Sequence, residues 1–240
     1  MSQLEASPDT EPAGWIVAAL QTFGRTVLGL VPAGFAAYVR VFHPAYQRAD
    51  DGALTPVSWR SIAEANGRHA HPAMQLIPLT GEAKFIHSGQ PGVYDLPPRE
   101  GSLPPELVAP LLDVLTRHTT TSDQCWFAVW NGFGAARADV QSAPIFHVPT
   151  RDYHLLAGPI EAAAETALNP PWKQSPNLWW PDDRSWCVAT EIDLNTTYIG
   201  CDELCSREIL ALPELEAEPV APDDGITWKS DPVNPWPEPK

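Results

Sequence analysis

Positive charge is what this chain most conspicuously lacks. It carries 15 Lys and Arg against 30 Asp and Glu, a formal net charge of −15, and nowhere a basic run. A phosphate backbone needs a face of cations, so a nucleic-acid partner is not expected. Cysteine is scarce as well. Cys125, Cys187, Cys201 and Cys205 are too few and too irregularly spaced for a disulfide framework. Long apolar runs are missing. The best candidate, Trp15 to Leu30, is broken by Gln21, Thr22 and Arg25 and has no basic region before it. Neither a membrane span nor a signal peptide is expected, and a cytoplasmic location follows. Local catalytic signatures are absent too: no Gly-x-Ser-x-Gly, no glycine-rich phosphate loop, no His-Glu-x-x-His and no dinucleotide fingerprint. That removes the commonest hydrolase, nucleotidase, zincin and dehydrogenase readings and leaves only enzymes without local motifs. No cofactor is called for.

Proline, tryptophan and apolar residues are plentiful. Hydrophobic residues make up 44% of the 240 positions, enough for a substantial core. The 27 prolines are about twice average usage, which keeps helices short. Three of the ten tryptophans fall in Ser175–Gly200, SPNLWWPDDRSWCVATEIDLNTTYIG. A large apolar ring system beside an Asp-Asp-Arg turn reads as a structural hub or as a binding wall.

Periodicity and turn chemistry predict a single α+β domain over residues 13–212, with a central, mostly antiparallel sheet and several short helices. Residues 1–12 read as a disordered leader. An amphipathic helix is expected from Trp15 towards Leu30, including Phe23, and a strand over Phe35–Phe42. Ser58 caps a helix Trp59–Asn66 that ends at Gly67. Another is expected to start at Ser102, with Pro104 and Pro105 in its first turn, Glu106 at the positive end of its dipole and Leu107, Leu111, Leu112 and Leu115 along one face. The apolar run Cys125–Trp130, bounded by Asn131-Gly132, reads as a central strand. A further strand over Arg151–Leu156 and a helix over Glu161–Leu168 follow. Ser185–Leu194 alternates like a strand, with Trp186, Val188, Ile192 and Leu194 on a face buried against the Leu107–Leu115 helix or the Trp15 helix. Asp202 caps a last helix through Leu212. Seven prolines and seven carboxylates from Pro213 onward make residues 213–240 an acidic tail, extended or disordered, or laid on the body through Trp228 or Trp236.

Glu191 and Asp193, two apart on the expected strand, point the same way about 7 Å apart by the strand rise. With Trp179, Trp180, Asp182 and Arg184 they are the candidate ligand-binding residues. A pair of carboxylates can hold a cation or divide acid and base roles. Against this stands the plainer reading, in which the pair is the solvent face of a half-exposed sheet and the tryptophans are core. Metal ligation is not favoured. Cys201 and Cys205, with Cys187, and the pair His69 and His71 are the weak candidates, each lacking a full ligand set.

The segments Gly34–Pro44, Cys125–Gly134 and Ser175–Gly200 resemble a group of actinobacterial proteins to which no activity is assigned, so the resemblance implies none. In architecture a compact acidic α+β body is similar to the immunity-protein superfamily of the SMI1/KNR4 type. The leading expectation is a non-enzymatic binding protein, of immunity or accessory type, whose acidic, tryptophan-containing surface contacts a basic protein partner. The alternative is an enzyme or small-ligand binder with a cleft lined by Trp179, Trp180, Arg184, Glu191 and Asp193.

Overall fold

A computed structural model describes residues 2–20 and 25–237. Among these, nine strands form one sheet: β1 (Glu5–Ala6), β2 (Ala37–Phe42), β5 (Cys125–Trp130), β6 (Ile145–Val148), β7 (Arg151–Gly158), β8 (Leu178–Pro181), β9 (Cys187–Ala189), β10 (Thr196–Cys201) and β11 (Glu216–Pro219). The order is β1-β7-β5-β8-β9-β10-β2-β11, with β6 sharing the outer edge of β7 with β1. Each of these ladders is antiparallel. A separate hairpin joins β3 (Ala45–Arg48) and β4 (Leu54–Val57). The helices are short: α1 (Gly14–Ala19), α2 (Trp59–Ala65), α3 (Leu76–Thr80), α4 (Pro105–Arg117), α5 (Ala138–Gln141) and α6 (Glu203–Leu210). The protein is a single α+β body, as its sequence pattern predicts.

Local chemistry accounts for the elements that match expectation. Ser58 accepts from Ser61 N and caps α2, and Gly67 follows in the left-handed region at φ +63°. Asp202 accepts from Cys205 N and caps α6. In α4, Pro105 occupies the first turn with Glu106 beside it, and Leu107, Leu111 and Leu115 are buried.

The sheet is covered on both faces. On one, Val39, Val41, Phe127, Trp179, Trp186, Val188 and Ile199 pack with α4 and α6. On the other, Tyr38, Ala128, Leu155, Trp180, Cys187 and Tyr198 pack with α1 and the Val27–Val31 segment. A third cluster joins Phe42 to α2 and α3 through Trp59, Ile62 and Leu79.

Several expectations need correction. The first helix stops at Ala19, and only one 3₁₀ turn, Val27–Gly29, follows; the part of that expectation carried by Phe23 lies outside the described residues. Residues 160–164 form a 3₁₀ turn rather than a longer helix. The leader is not loose: Leu4 is buried, and Glu5 and Ala6 pair with Ala157 and Leu156. Of the alternatives for the proline-rich segment after Pro213, the structure has the extended one, laid on the body. β11 pairs with β2, and residues 220–226 run along residues 25–28 through Val27 N→Asp224 O (3.1 Å) and Ile226 N→Arg25 O (3.2 Å). Proline forbids regular helix there but leaves every carbonyl free to accept, and the chain uses them.

β11 ends the sheet. Its Glu216 carboxylate turns back to accept Trp59 N (2.6 Å) and Arg60 N (2.8 Å), closing the start of α2, and Pro219 offers no N–H.

Trp186 is fully buried, donates Nε1–H to Leu115 O (3.0 Å) at the end of α4, and meets Trp179 edge-on at 5.2 Å between centroids. Of the two helices expected to cover it, α4 is the one that does. Replacing Trp186 by alanine should cost about 3–5 kcal/mol in urea unfolding, the range for deleting a large buried aromatic. Trp172→Ala, at a position 63% exposed, should change stability by less than about 0.5 kcal/mol. Equal effects at the two sites would contradict the packing described here.

Candidate functional site

The expected strand Ser185–Leu194 is paired only over Cys187–Ala189. Thr190 N turns to Asn177 O (2.7 Å), and Leu194 N closes a turn on Glu191 O (3.1 Å). Glu191 and Asp193 therefore sit in a turn, not on one strand face. What brings them together is Arg151. Its Nε–H donates to Glu191 Oε1 (2.9 Å) and its Nη2–H to Asp193 Oδ2 (2.8 Å), while Asp193 N donates to Glu191 Oε2 (2.6 Å). Glu191 is 6% exposed, and burial raises its carboxyl pKa even though Asp193 N and Arg151 pull it down. Arg151 is fixed in turn by Thr150 O (3.2 Å), and Thr150 holds φ +76°, an uncommon conformation for a β-branched residue.

A cleft of about 400 Å³ opens on this turn. Its floor is apolar, with Ile77, Leu194 and Ile226, and Trp228, 55% exposed, stands on its rim. Glu191 and Asp193 enter from one side and Glu100 and His87 from another. Glu100 is carried there by Gly101, which sits at φ +72° and donates its N–H to Leu194 O (2.8 Å). A Cβ at position 101 would lie 2.5 Å from Ile192 O, so only glycine lets the two loops touch. His87 Nδ1 lies 3.7 Å from Glu100 Oε2. Burial pushes the Glu100 carboxyl above its ordinary pKa; His87 opposes this, while Asp193 and Glu191 add to it.

Two buried polar groups hold the walls of the cleft. His43 is fully buried; Nδ1–H donates to Arg99 O (2.6 Å), and Nε2 accepts from the Thr197 hydroxyl (2.9 Å), which is 2.7 Å from that of Thr190. This chain ties the loop carrying Glu100 to β10 and to the end of β9, which flank the acidic turn. Arg40, from β2, is 2% exposed and reaches the opposite wall. Nη1 donates to Pro72 O (3.3 Å) and Met74 O (2.8 Å), and Nη2 to Gln75 Oε1 (3.3 Å). Its guanidinium lies over Phe42 at 4.5 Å, Trp59 at 5.5 Å and Tyr198 at 5.7 Å.

The other expected site residues lie elsewhere. Trp179 and Trp180 are buried in opposite cores, because successive side chains of β8 alternate across a sheet covered on both faces. Asp182 accepts from Trp126 Nε1 (3.0 Å), and Arg184, exposed at φ +56°, lies 5.6 Å from the Trp15 ring. Their neighbour Asp183 accepts from Thr120 N (2.7 Å), Thr120 Oγ1 (2.8 Å) and Ser185 N (3.1 Å); these bonds outweigh burial and bring its carboxyl down to about 2. This corner is a turn that anchors loops, not a ligand wall. The metal candidates separate too. Cys201 and Cys205 lie in the α4 core, whereas Cys187 faces the other core across the sheet. His69 and His71 clasp the C-terminal segment, and no group of three or more His, Cys, Asp or Glu able to hold a metal ion occurs among the described residues. Glu100 and His87 join the site without any signal in local sequence except the glycine after Glu100.

No family model, curated protein or solved structure matches the chain.

Two outcomes follow from the buried charges. Arg151→Ala should destabilise the fold by about 3 kcal/mol at neutral pH by leaving Glu191 buried without its cation. The deficit should shrink as pH falls and Glu191 takes up a proton; a deficit constant from pH 7 to 4 in urea titrations would count against a buried carboxylate there. His43 carries the opposite pKa shift, and its stability difference also shrinks as pH falls. Burial, the first of its influences, lowers it from 6.5 to about 4, so the fold holds it neutral while the unfolded chain protonates. Its contribution is complete above pH 6.5 and is lost as pH falls towards 4, on the order of 3 kcal/mol in total. The stability difference between wild type and His43→Gln should narrow over that interval. A pH-independent difference would contradict a buried neutral imidazole.

Proposed function

We propose that this protein is a non-enzymatic, cytoplasmic binding protein of immunity or accessory type, and that its cleft receives a basic side chain of a protein partner. The observation carrying this reading is the convergence of Glu100, Glu191 and Asp193 on an apolar cleft with an exposed indole at its rim. Carboxylates at the mouth match a cationic head, and Ile77, Leu194, Ile226 and Trp228 match the aliphatic stem of lysine or arginine. Arg151 is an internal example of the fit, since one guanidinium bridges Glu191 and Asp193. Among the described residues Glu100 makes one ion-pair contact, with His87 at the long distance of 3.7 Å, and keeps capacity for a cation. The net charge of −15 supports the same reading, because an acidic surface speeds encounter with a basic partner.

A second reading, a small organic cation as ligand, draws support from the cleft's volume, which falls in the range of small-molecule sites. Titration with a blocked tri-arginine peptide, agmatine and a tri-glutamate control, followed by tryptophan fluorescence and calorimetry, tests both. Binding of the arginine peptide should weaken with salt and fall about tenfold in Glu100→Gln or Asp193→Asn, a loss of roughly 1.4 kcal/mol. Agmatine binding as tightly as the peptide would favour the small-ligand reading. Failure of the arginine peptide to bind at low salt, or equal binding by the variants, would sink the proposal.

A further inference from the structure

The wall of the cleft that carries Trp228 is built unlike the others. Ile226 is buried, and its N–H is held by Arg25 O. From Trp228 to Pro237, however, Asn234 is the one buried residue, and the large apolar side chains point outward: Trp228 is 55%, Val233 52% and Trp236 43% exposed. This stretch is kept in place by a polar latch. Asp231 accepts from His71 Nε2 (2.9 Å) and Gln75 N (3.1 Å) on the facing loop and from Val233 N and Asn234 N on its own. Asn234 exchanges two hydrogen bonds with the His69 backbone, each 2.9 Å. Between anchor and latch lies a tight turn. Ser230 N donates to Thr227 O (2.8 Å), and a Cβ on Gly225 would meet Ser230 Oγ at 2.4 Å.

We infer that Trp228–Pro237 is a releasable lid on the cleft, hinged at Ile226–Thr227 and latched by Asp231 and Asn234 to the His69–Gln75 loop. Opening it exposes almost no apolar core, because its apolar side chains already face solvent. What opening exchanges for water is the polar latch, the buried Asp231 carboxylate with its His71 contact included, and no packed core, so local release costs less than unfolding. Opening also removes Trp228 from the rim, so the lid sets access to the cleft. In its functional meaning the inference rests on the cleft being the binding site; the motion itself does not.

Hydrogen exchange on the full chain, with no ligand added, reads the motion directly. The amides of Ser230, Val233 and Asn234 should exchange at least about tenfold faster than those of β10, since sub-global openings precede global ones. Asp231→Asn and, separately, Asn234→Ala should speed lid exchange further while leaving β10 unchanged. Adding the tri-arginine peptide should slow exchange in the lid. The lid is overturned if its amides are as protected as β10, or if both variants accelerate the lid and β10 together. Peptide binding with a protected lid would refute the lid alone, whereas a labile lid with no peptide binding would refute the cleft's ligand and leave the motion standing.

Discussion

The structure depends on a buried cation that has no anion of its own. Arg40 makes no ion pair among the described residues, and its Nε finds no partner. Burial pulls its guanidinium below its ordinary pKa, with more distant carboxylates such as Asp231 opposing the fall. Carbonyl oxygens and three aromatic faces take the place of a counterion. A planar, delocalised and weakly hydrated cation tolerates that environment where an ammonium would not. The guanidinium stands where the second and third cores meet, since Tyr198 belongs to one and Phe42 and Trp59 to the other. It also fixes the carbonyls of Pro72 and Met74, and with them the loop onto which the C-terminal segment latches. Cleft wall, latch and helical subcore thus share one support.

A sheet covered on both faces explains the fate of the tryptophans. Three of them, close together in sequence, would suit a surface, yet each is drawn inside because neither side of β8 or β9 meets water. Acidity and tryptophan, which together favour a binding surface, are separated in space: the carboxylates gather at one cleft, while the indoles of Trp179, Trp180 and Trp186 hold the two cores. Trp228 is where the two features meet again.

Elements with their own punctuation were legible in the sequence. The Cys125–Trp130 strand matches residue for residue because polar residues bound an apolar run, and α2 and α6 match because Ser58 and Asp202 start them, while α4 starts at Pro105, three residues after the expected Ser102. The alternation from Ser185 to Leu194 misled, since Asn177 captures Thr190 and ends the strand early. The pairing of Glu191 with Asp193 was correct, but its cause was not. Strand periodicity plays no part in it; Arg151, forty residues away from Glu191, does. Glu100 and His87 could not be found by local pattern, because a contact between two loops leaves no periodic trace.

The free edge of the sheet has a consequence beyond the site. A bare β edge is a template on which any passing extended chain can grow, including another copy of the same protein. At β11 the ladder offers Pro219, which cannot donate, and the start of α2 lies against it, with Trp59 N and Arg60 N on the Glu216 carboxylate and the Arg60 guanidinium on Glu218. The opposite edge is divided between the two residues of β1 and the short β6. Among the described residues neither end of this sheet presents a long, flat ladder, which disfavours growth of one copy upon another.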